Sequence, residues 1–200
     1  MENDFIDHIN KNSLFSKDSK LLVAVSGGID SICLVSLLIE LKYNIEIAHC
    51  NFQLRSKESD EDLNFVKQFS ETNNISFHSR SFNTNEYAKN KKISIQMAAR
   101  ELRYDWLKKL RLDIKADYIV TGHNLDDKIE TFFLNIIRGT GLKGLISMKK
   151  NNDFIVRPLI FAKRKQIEDY VRIRKIHYRE DSSNISIKYK RNKVRHELIP

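Results

Sequence analysis

The sequence has little of what disulfide frameworks, zinc sites and membrane anchors require. Its two cysteines, Cys33 and Cys50, lack C-x-x-C spacing and lie in apolar segments, so we expect both to be reduced core residues of a cytoplasmic protein. The six histidines are scattered and have no cysteine partners, which gives no zinc pattern. No stretch reaches the roughly 18 consecutive apolar residues of a membrane span, and residues 1–20 lack the apolar core of a signal peptide.

The two best-known phosphate-binding loops are also absent. The chain contains neither G-x-x-x-x-G-K followed by Ser or Thr nor G-x-G-x-x-G. Residues 20–31 nevertheless predict an anion site, because Gly27 and Gly28 separate a β-prone apolar run from an apolar helix over residues 32–41. Free N–H groups and the dipole at a helix start favour negative charge, and two glycines permit a tight turn close to a phosphate.

Three polar side chains complete this turn. Ser26 and Ser31 add hydroxyl donors, whereas Asp30 would repel a phosphate unless a metal ion lies between the two. The pattern S-G-G-x-D-S resembles the pyrophosphate loop of the ATP pyrophosphatase group, whose members split ATP into AMP and pyrophosphate and adenylate a carbonyl oxygen. An ordinary strand-to-helix turn is the alternative, and the six matched residues make it the minority interpretation.

The alternation of strands and helices along the chain predicts an α/β fold. We expect a doubly wound, mostly parallel, five-stranded sheet with helices on both faces, in a single domain over residues 1–200. The predicted strands are residues 20–25, 45–50, 75–82, 116–123 and 154–159. Because ligands of such sheets lie beyond the carboxyl ends of the strands, residues 26–31, 49–55 and 122–130 should share one cleft.

Charge is distributed unevenly along the chain. Residues 1–137 hold 18 Lys and Arg against 20 Asp and Glu, a net charge of −2, whereas residues 138–200 hold 17 against 6, a net charge of +11. A neutral front part and a strongly basic last third, with an irregular basic tail from about residue 177, indicate a catalytic core with an edge that faces a polyanion. A solvated basic surface is the alternative.

Two groups of charged residues are candidates for chemistry. Asp126, Asp127 and Glu130 lie within one helical turn and could hold Mg²⁺ or a substrate amine, although acidic residues also commonly begin helices. Arg100 and Arg103 share a helix face, where they could neutralise phosphate, pair with the carboxylates or simply be exposed. The basic stretches 138–144 and 188–196 are candidate phosphate and RNA contacts.

Taken together, these stretches resemble one family, the tRNA(Ile)-lysidine synthetases, from about residue 21 to residue 200. Members attach lysine to the wobble cytidine of an isoleucine tRNA and use ATP to do so. The matching motifs are residues 26–31, 49–51 with 54–55, 99–104, 122–130, 138–142, 157–159, 179–184 and 191–195.

The resemblance implies ATP and Mg²⁺ as cofactors, and free lysine and isoleucine tRNA as partners. Asp30 would hold Mg²⁺ and pyrophosphate, Asp127 and Glu130 the lysine ammonium, and Arg103 the lysine carboxylate or the α-phosphate. Nucleotide contacts are implied for Ala24, Ser26, Gly27, Gly28, Ile29, Asp30, Ser31, His49 and Gly122. Metal ligands are implied at Asp30 and Asp127, and tRNA contacts at Arg138, Lys143, Arg191 and Arg195.

Two departures from the family pattern stand out. Asn124 occupies a position where many relatives carry a second histidine, so no proton transfer is assigned there. Members also continue into C-terminal tRNA-binding domains, and the chain is expected to correspond to the catalytic domain without them. The resemblance leaves open whether the protein is a monomer or a homodimer.

Three other functions remain as alternatives. A pyrophosphate-loop tRNA thiolase would need cysteines for sulfur or an iron–sulfur cluster, and Cys33 and Cys50 lack that spacing. A synthetase of the NAD or GMP type would act on a small molecule, which the basic last third disfavours. A non-catalytic module that binds tRNA or nucleotide would give a salt-dependent tRNA complex without lysine-dependent release of AMP.

Overall fold

The computed structural model describes residues 1–55, 57–139 and 151–180, which form a six-stranded sheet with helices packed against it. The strands are β1 (Lys20–Ala24), β2 (Asn44–Asn51), β3 (Phe77–Ser81), β4 (Tyr118–Thr121), β5 (Asn151–Asn152) and β6 (Ile155–Val156). The helices are α1 (Glu2–Lys11), α2 (Ile29–Glu40), α3 (Lys57–Thr72), α4 (Thr84–Lys91), α5 (Ile95–Asp113), α6 (Leu125–Ile137) and α7 (Arg164–Ile173).

The strand order is β3-β2-β1-β4-β6-β5, and all pairs are parallel except β5 with β6. The predicted mostly parallel sheet of five strands is therefore confirmed, with a short antiparallel strand added at one edge. The chain runs outward from β1 through β2 to β3 and then crosses to β4 on the other side of β1. This reversal places a topological switch point, the usual ligand position in such sheets, between β1 and β4.

Apolar residues alternate across the strands and build one core on each face of the sheet. Leu21 and Val23 of β1 face a large core, to which α1, α2 and α7 also contribute. Leu22 faces a second core with Leu107 of α5. Helices on both faces were predicted from the alternating pattern, and the two cores confirm this arrangement.

The predicted strands extend too far at several ends. The strand expected over residues 154–159 is only β6, because Pro158 cannot donate a backbone hydrogen bond and residues 158–161 form turns. Strand β5 was not predicted, since two asparagines carry no strand-like pattern. It joins β6 through a turn in which Asp153 has a φ of 52°, a conformation that aspartate tolerates better than most residues.

Within the described ranges, every helix is either too short or too polar to cross a membrane.

Candidate functional site

The loop between β1 and α2 is folded by its own serines. The backbone N–H of Ser26 donates to Oγ of Ser31 at 3.3 Å, and the Ser31 hydroxyl donates to the carbonyl of Gly28 at 2.8 Å. Gly28, the N-cap residue of α2, donates its N–H to Oγ of Ser26 at 3.3 Å. The expected hydroxyl donors thus shape the turn. Gly27, with a φ of +93°, needs the conformational freedom of glycine.

The carboxyl end of β4 touches the first turn of α2. A methyl group at Gly122 would lie 3.0 Å from the carbonyl carbon and oxygen of Asp30, and 3.1 Å from the backbone nitrogen of Ser31. Cβ contacts this short are rare, so a side chain at residue 122 would require the two backbones to move apart by a few tenths of an ångström. Gly122 therefore fixes where α2 begins relative to the sheet, a role that the sequence pattern alone did not indicate.

Asp30 joins three helices at this point. Its Oδ1 accepts a hydrogen bond from the Asn124 side-chain amide at 3.0 Å, and its Oδ2 binds the Arg164 guanidinium at 2.7 Å. The Asp30 side chain remains 28% exposed. The carboxylate thus lies at the start of α2, next to the N–H groups that favour an anion, and it is oriented by residues from α6 and α7.

Asn124 is the N-cap residue of α6 and is 3% exposed. Its Oδ1 accepts from the N–H of Asp127 at 3.0 Å, while Oδ2 of Asp127 accepts from the N–H of Asn124 at 3.1 Å. This reciprocal capping box leaves the Asn124 amide free to donate to Asp30, so one side chain orders both the helix start and the carboxylate. Sequence reasoning gave Asn124 no role, because it was noted only as a departure.

The three carboxylates of α6 do not act as one group. Oδ2 of Asp126 accepts the backbone N–H of Arg164 at 2.6 Å and so caps α7, Asp127 caps α6, and Glu130 is fully buried. The described parts of the chain contain no group of three or more His, Cys, Asp or Glu side chains placed to hold a metal ion. In these bonds Asp126 and Asp127 each cap the start of a helix.

His49 lies directly beneath the loop, buried at the end of β2. Its Nδ1 is 2.9 Å from the carbonyl oxygen of Val25. Because a carbonyl oxygen only accepts, Nδ1 carries the hydrogen. Burial lowers the pKa of the ring below its ordinary value of 6.5, which leaves the imidazole neutral at neutral pH. His49 thus anchors the residue that precedes Ser26.

Both cysteines are free thiols, as expected, but only Cys33 is a core residue, since Cys50 is partly exposed. Burial raises the pKa of each thiol to about 12, and for Cys50 the nearby cations Arg80 and Arg103 offset only part of this effect. Neither sulfur is therefore a thiolate at neutral pH, which is the form that attacks electrophiles and binds metals.

The remaining predicted residues fall into two sets. Arg103 is half-buried on α5, with its guanidinium 5.2 Å from the ring centre of Phe52, the residue directly after β2. Arg138 is exposed at the C-cap of α6. Lys143, Arg191 and Arg195 lie outside the described residues.

The structure brings Ala24, Ile29 and the loop together with His49 and Gly122. This agrees with the expectation that residues at the carboxyl ends of parallel strands share one cleft.

Comparison with known proteins places this geometry in context. The PP-loop domain family matches residues 1–200. The tRNA(Ile)-lysidine synthase of Porphyromonas gingivalis is 47% identical over 194 residues, covering 96% of this chain and 43% of the relative. The chain thus spans less than half the length of that relative.

Solved structures show the same fold at low sequence identity. The U34-tRNA thiolase NcsA of Methanococcus maripaludis superposes with a TM-score of 0.75 at 19% identity, covering 90% of this chain and 64% of that one. The NH3-dependent NAD synthetase of Campylobacter jejuni gives a TM-score of 0.61 at 16% identity, covering 88% and 72%. Both likenesses concern the fold alone.

Proposed function

Because the chain belongs to the PP-loop domain family, we propose that it carries out the ATP-dependent chemistry of a tRNA(Ile)-lysidine synthase. The observation that carries the proposal is the meeting of the loop, Asp30 and the start of α6 at the switch point of the sheet. The choice of lysine and isoleucine tRNA rests on the relative with 47% identity and on the motifs that this chain shares with the family.

The proposed reaction has two steps. The cytosine carbonyl oxygen attacks the α-phosphate of ATP, which forms an adenylated base and releases pyrophosphate. The lysine ε-amine then attacks the ring carbon that carries the adenylated oxygen, displaces AMP and loses a proton. The protein would contribute positioning and charge neutralisation, since in this proposal the loop N–H groups and the start of α2 bind the departing pyrophosphate.

The residues at the start of α2 suit a magnesium ion. Mg²⁺ is commonly held by one or two carboxylates together with substrate phosphates, and Asp30 lies partly exposed where those phosphates would bind. Asp30, assisted by Asp127, would hold the ion, which would neutralise phosphate charge. Asn124 links these two carboxylates, because its side-chain amide donates to Asp30 and its backbone N–H donates to Asp127.

The buried thiols disfavour the thiolase alternative. Sulfur transfer or cluster binding requires an accessible thiolate, and burial keeps Cys33 and Cys50 protonated. An amidating synthetase of small molecules shares the fold but would not need the net charge of +11 in residues 138–200.

We assign the lysine ammonium to Glu130. Glu130→Gln removes the charge at nearly constant shape, so KM for lysine should rise about 10- to 100-fold, the loss of one charge-assisted hydrogen bond, while KM for ATP changes little. Steady-state release of AMP at varied lysine concentration measures both constants.

Asp126→Asn is the matched control for this variant. It removes a negative charge from the same helix, where the carboxylate caps α7, and should leave KM for lysine unchanged. If Glu130→Gln changes only KM for ATP, the Glu130 carboxylate belongs to the nucleotide or metal site instead.

We propose that the basic last third of the chain binds tRNA phosphates, through residues that include Arg138, Lys143, Arg191 and Arg195. Binding should weaken steeply as salt rises, because each neutralised phosphate releases counterions. Arg191→Ala and Arg195→Ala should each flatten the slope of log affinity against log salt by about one unit. Titration with transcribed isoleucine tRNA at several salt concentrations measures the slope. Variants with the wild-type slope would show that these residues contact no phosphate.

A further inference from the structure

Two stretches in the family resemblance, residues 54–55 and 179–184, have no role in the reaction described above. The structure joins one residue of each stretch, Arg55 and Arg179, through one carboxylate of α3. Nη2 of Arg55 lies 2.8 Å from Oδ2 of Asp62, and Nε of Arg179 lies 3.1 Å from Oδ1 of the same residue. Arg179 also binds Glu61 at 2.8 Å. Both carboxylate oxygens of Asp62 thus bind an arginine. These two arginines, Arg55 and Arg179, are 124 positions apart in the sequence.

This linkage is more than a pair of exposed charges. The Asp62 side chain is 12% exposed, and Arg179 bridges two adjacent carboxylates with different nitrogens of its guanidinium. Partly buried, charge-assisted bonds of this kind restrict geometry more strongly than single surface ion pairs. The linkage therefore fixes the position of residue 179 relative to α3.

The backbone of residue 179 reaches the loop. The N–H of Arg179 donates to the carbonyl oxygen of Gly27 at 2.9 Å. In a trans peptide the carbonyl oxygen and the next amide hydrogen lie in one plane and point in opposite directions. A bond that holds the Gly27 oxygen therefore also sets the direction of the Gly28 N–H.

Both α3 and Arg179 pack against Gly27. A methyl group at Gly27 would lie 3.4 Å from Cγ2 of Val66 and 3.7 Å from Cγ of Arg179. The loop thus rests on α3 beside the segment that the linkage holds in place.

We propose that Arg55, Asp62 and Arg179 form a positioning clasp, which orients the Gly27–Gly28 peptide and thereby sets the affinity of the loop for pyrophosphate groups. The pyrophosphate ligand rests on the proposed function, whereas the clasp rests on the contacts above. Its residues act through the loop and touch neither substrate nor reacting atoms.

Isothermal titration of the chain with inorganic pyrophosphate, and separately with ATP, tests the clasp. Arg179→Ala should weaken both affinities about 10-fold, because the N–H of residue 179 remains but is no longer held in place. Arg179→Lys should be intermediate, since it keeps the charge but cannot bridge two carboxylates. Asp62→Asn should also weaken binding. KM for lysine should stay unchanged in all three variants.

Arg174→Ala is the matched control. Arg174 also binds two carboxylates, Glu2 and Glu40, but these lie on α1 and α2 and the group does not include the loop. The control should bind pyrophosphate as the wild type does. Should Arg179→Ala fail to fold, the comparison of Arg179→Lys with Arg174→Lys decides the matter.

Three results would overturn the clasp: wild-type pyrophosphate affinity in the Arg179 and Asp62 variants, an equal loss in the Arg174 control, or no pyrophosphate binding by the wild type. These titrations need neither lysine nor tRNA. A chain that forms no lysidine but loses pyrophosphate affinity in the Arg179 variants would retain the clasp and refute the proposed reaction.

Discussion

Asp30→Ala should lower the rate of ATP–pyrophosphate exchange by about 1000-fold while the chain still folds. The carboxylate is the one acidic group in the first turn of α2, and loss of one preorganised group that stabilises charge in a transition state commonly has an effect of this size. The side chain is partly exposed, so no core packing is lost. Exchange measured with labelled pyrophosphate in the presence of isoleucine tRNA, together with circular dichroism of the variant, tests this expectation.

The Asp30 variant needs a control for the loss of a charge. Asp169→Ala removes a carboxylate from α7, where it pairs with Lys165 and Arg172, and should leave exchange unchanged. Asp30→Asn should be nearly as inactive as Asp30→Ala, because an amide keeps the shape and loses the charge. Normal exchange in folded Asp30→Ala would exclude Asp30 from the metal and pyrophosphate site.

Gly122→Ala should reduce both the stability of the fold and the affinity for ATP. The added methyl group meets the backbone of Asp30 and Ser31 at 3.0–3.1 Å, and backbone atoms at the start of a helix cannot move away independently. Overpacking of this kind lowers the free energy of unfolding by about 1–3 kcal/mol. Denaturant unfolding and ATP titration measure the two effects.

Gly28→Ala distinguishes an effect on ligand binding from an effect on the stability of the fold. A methyl group there would lie 3.5 Å from Oγ of Ser26, an ordinary contact, and the φ of −72° suits any residue. We expect unchanged stability but weaker ATP binding, because the methyl group lies where the phosphate must approach the loop. Equal stability of Gly122→Ala and Gly28→Ala would contradict the proposed role of Gly122.

Local patterns predicted the parts of the fold that depend on neighbouring residues. The alternation of strands and helices was sufficient for the parallel sheet, and the strand-end rule brought His49 and Gly122 to the loop. Strand ends were less predictable, because pairing with neighbours decides them. Residues 75–82 alternate well enough for a strand, yet only β3 pairs with β2.

The contacts that orient the site could not be predicted from the sequence, for a different reason. Arg164 lies in the first turn of α7, and its partner Asp30 is 134 residues away in the sequence. Asn124 received no role because it was noted only as a departure from the family pattern, yet its side chain accepts from the Asp127 N–H and donates to the Asp30 carboxylate. Such bonds depend on how helices meet at the switch point, which the spacing of residues does not encode.

Identification of modified nucleosides tests most directly whether this chain forms lysidine, as we propose. The chain is incubated with ATP, lysine and bulk tRNA, and the digested nucleosides are examined by mass spectrometry. We predict a cytidine derivative heavier by one lysine less one water, formed only with ATP and lysine present and in equal amount to AMP. Release of AMP without this nucleoside would contradict the assignment.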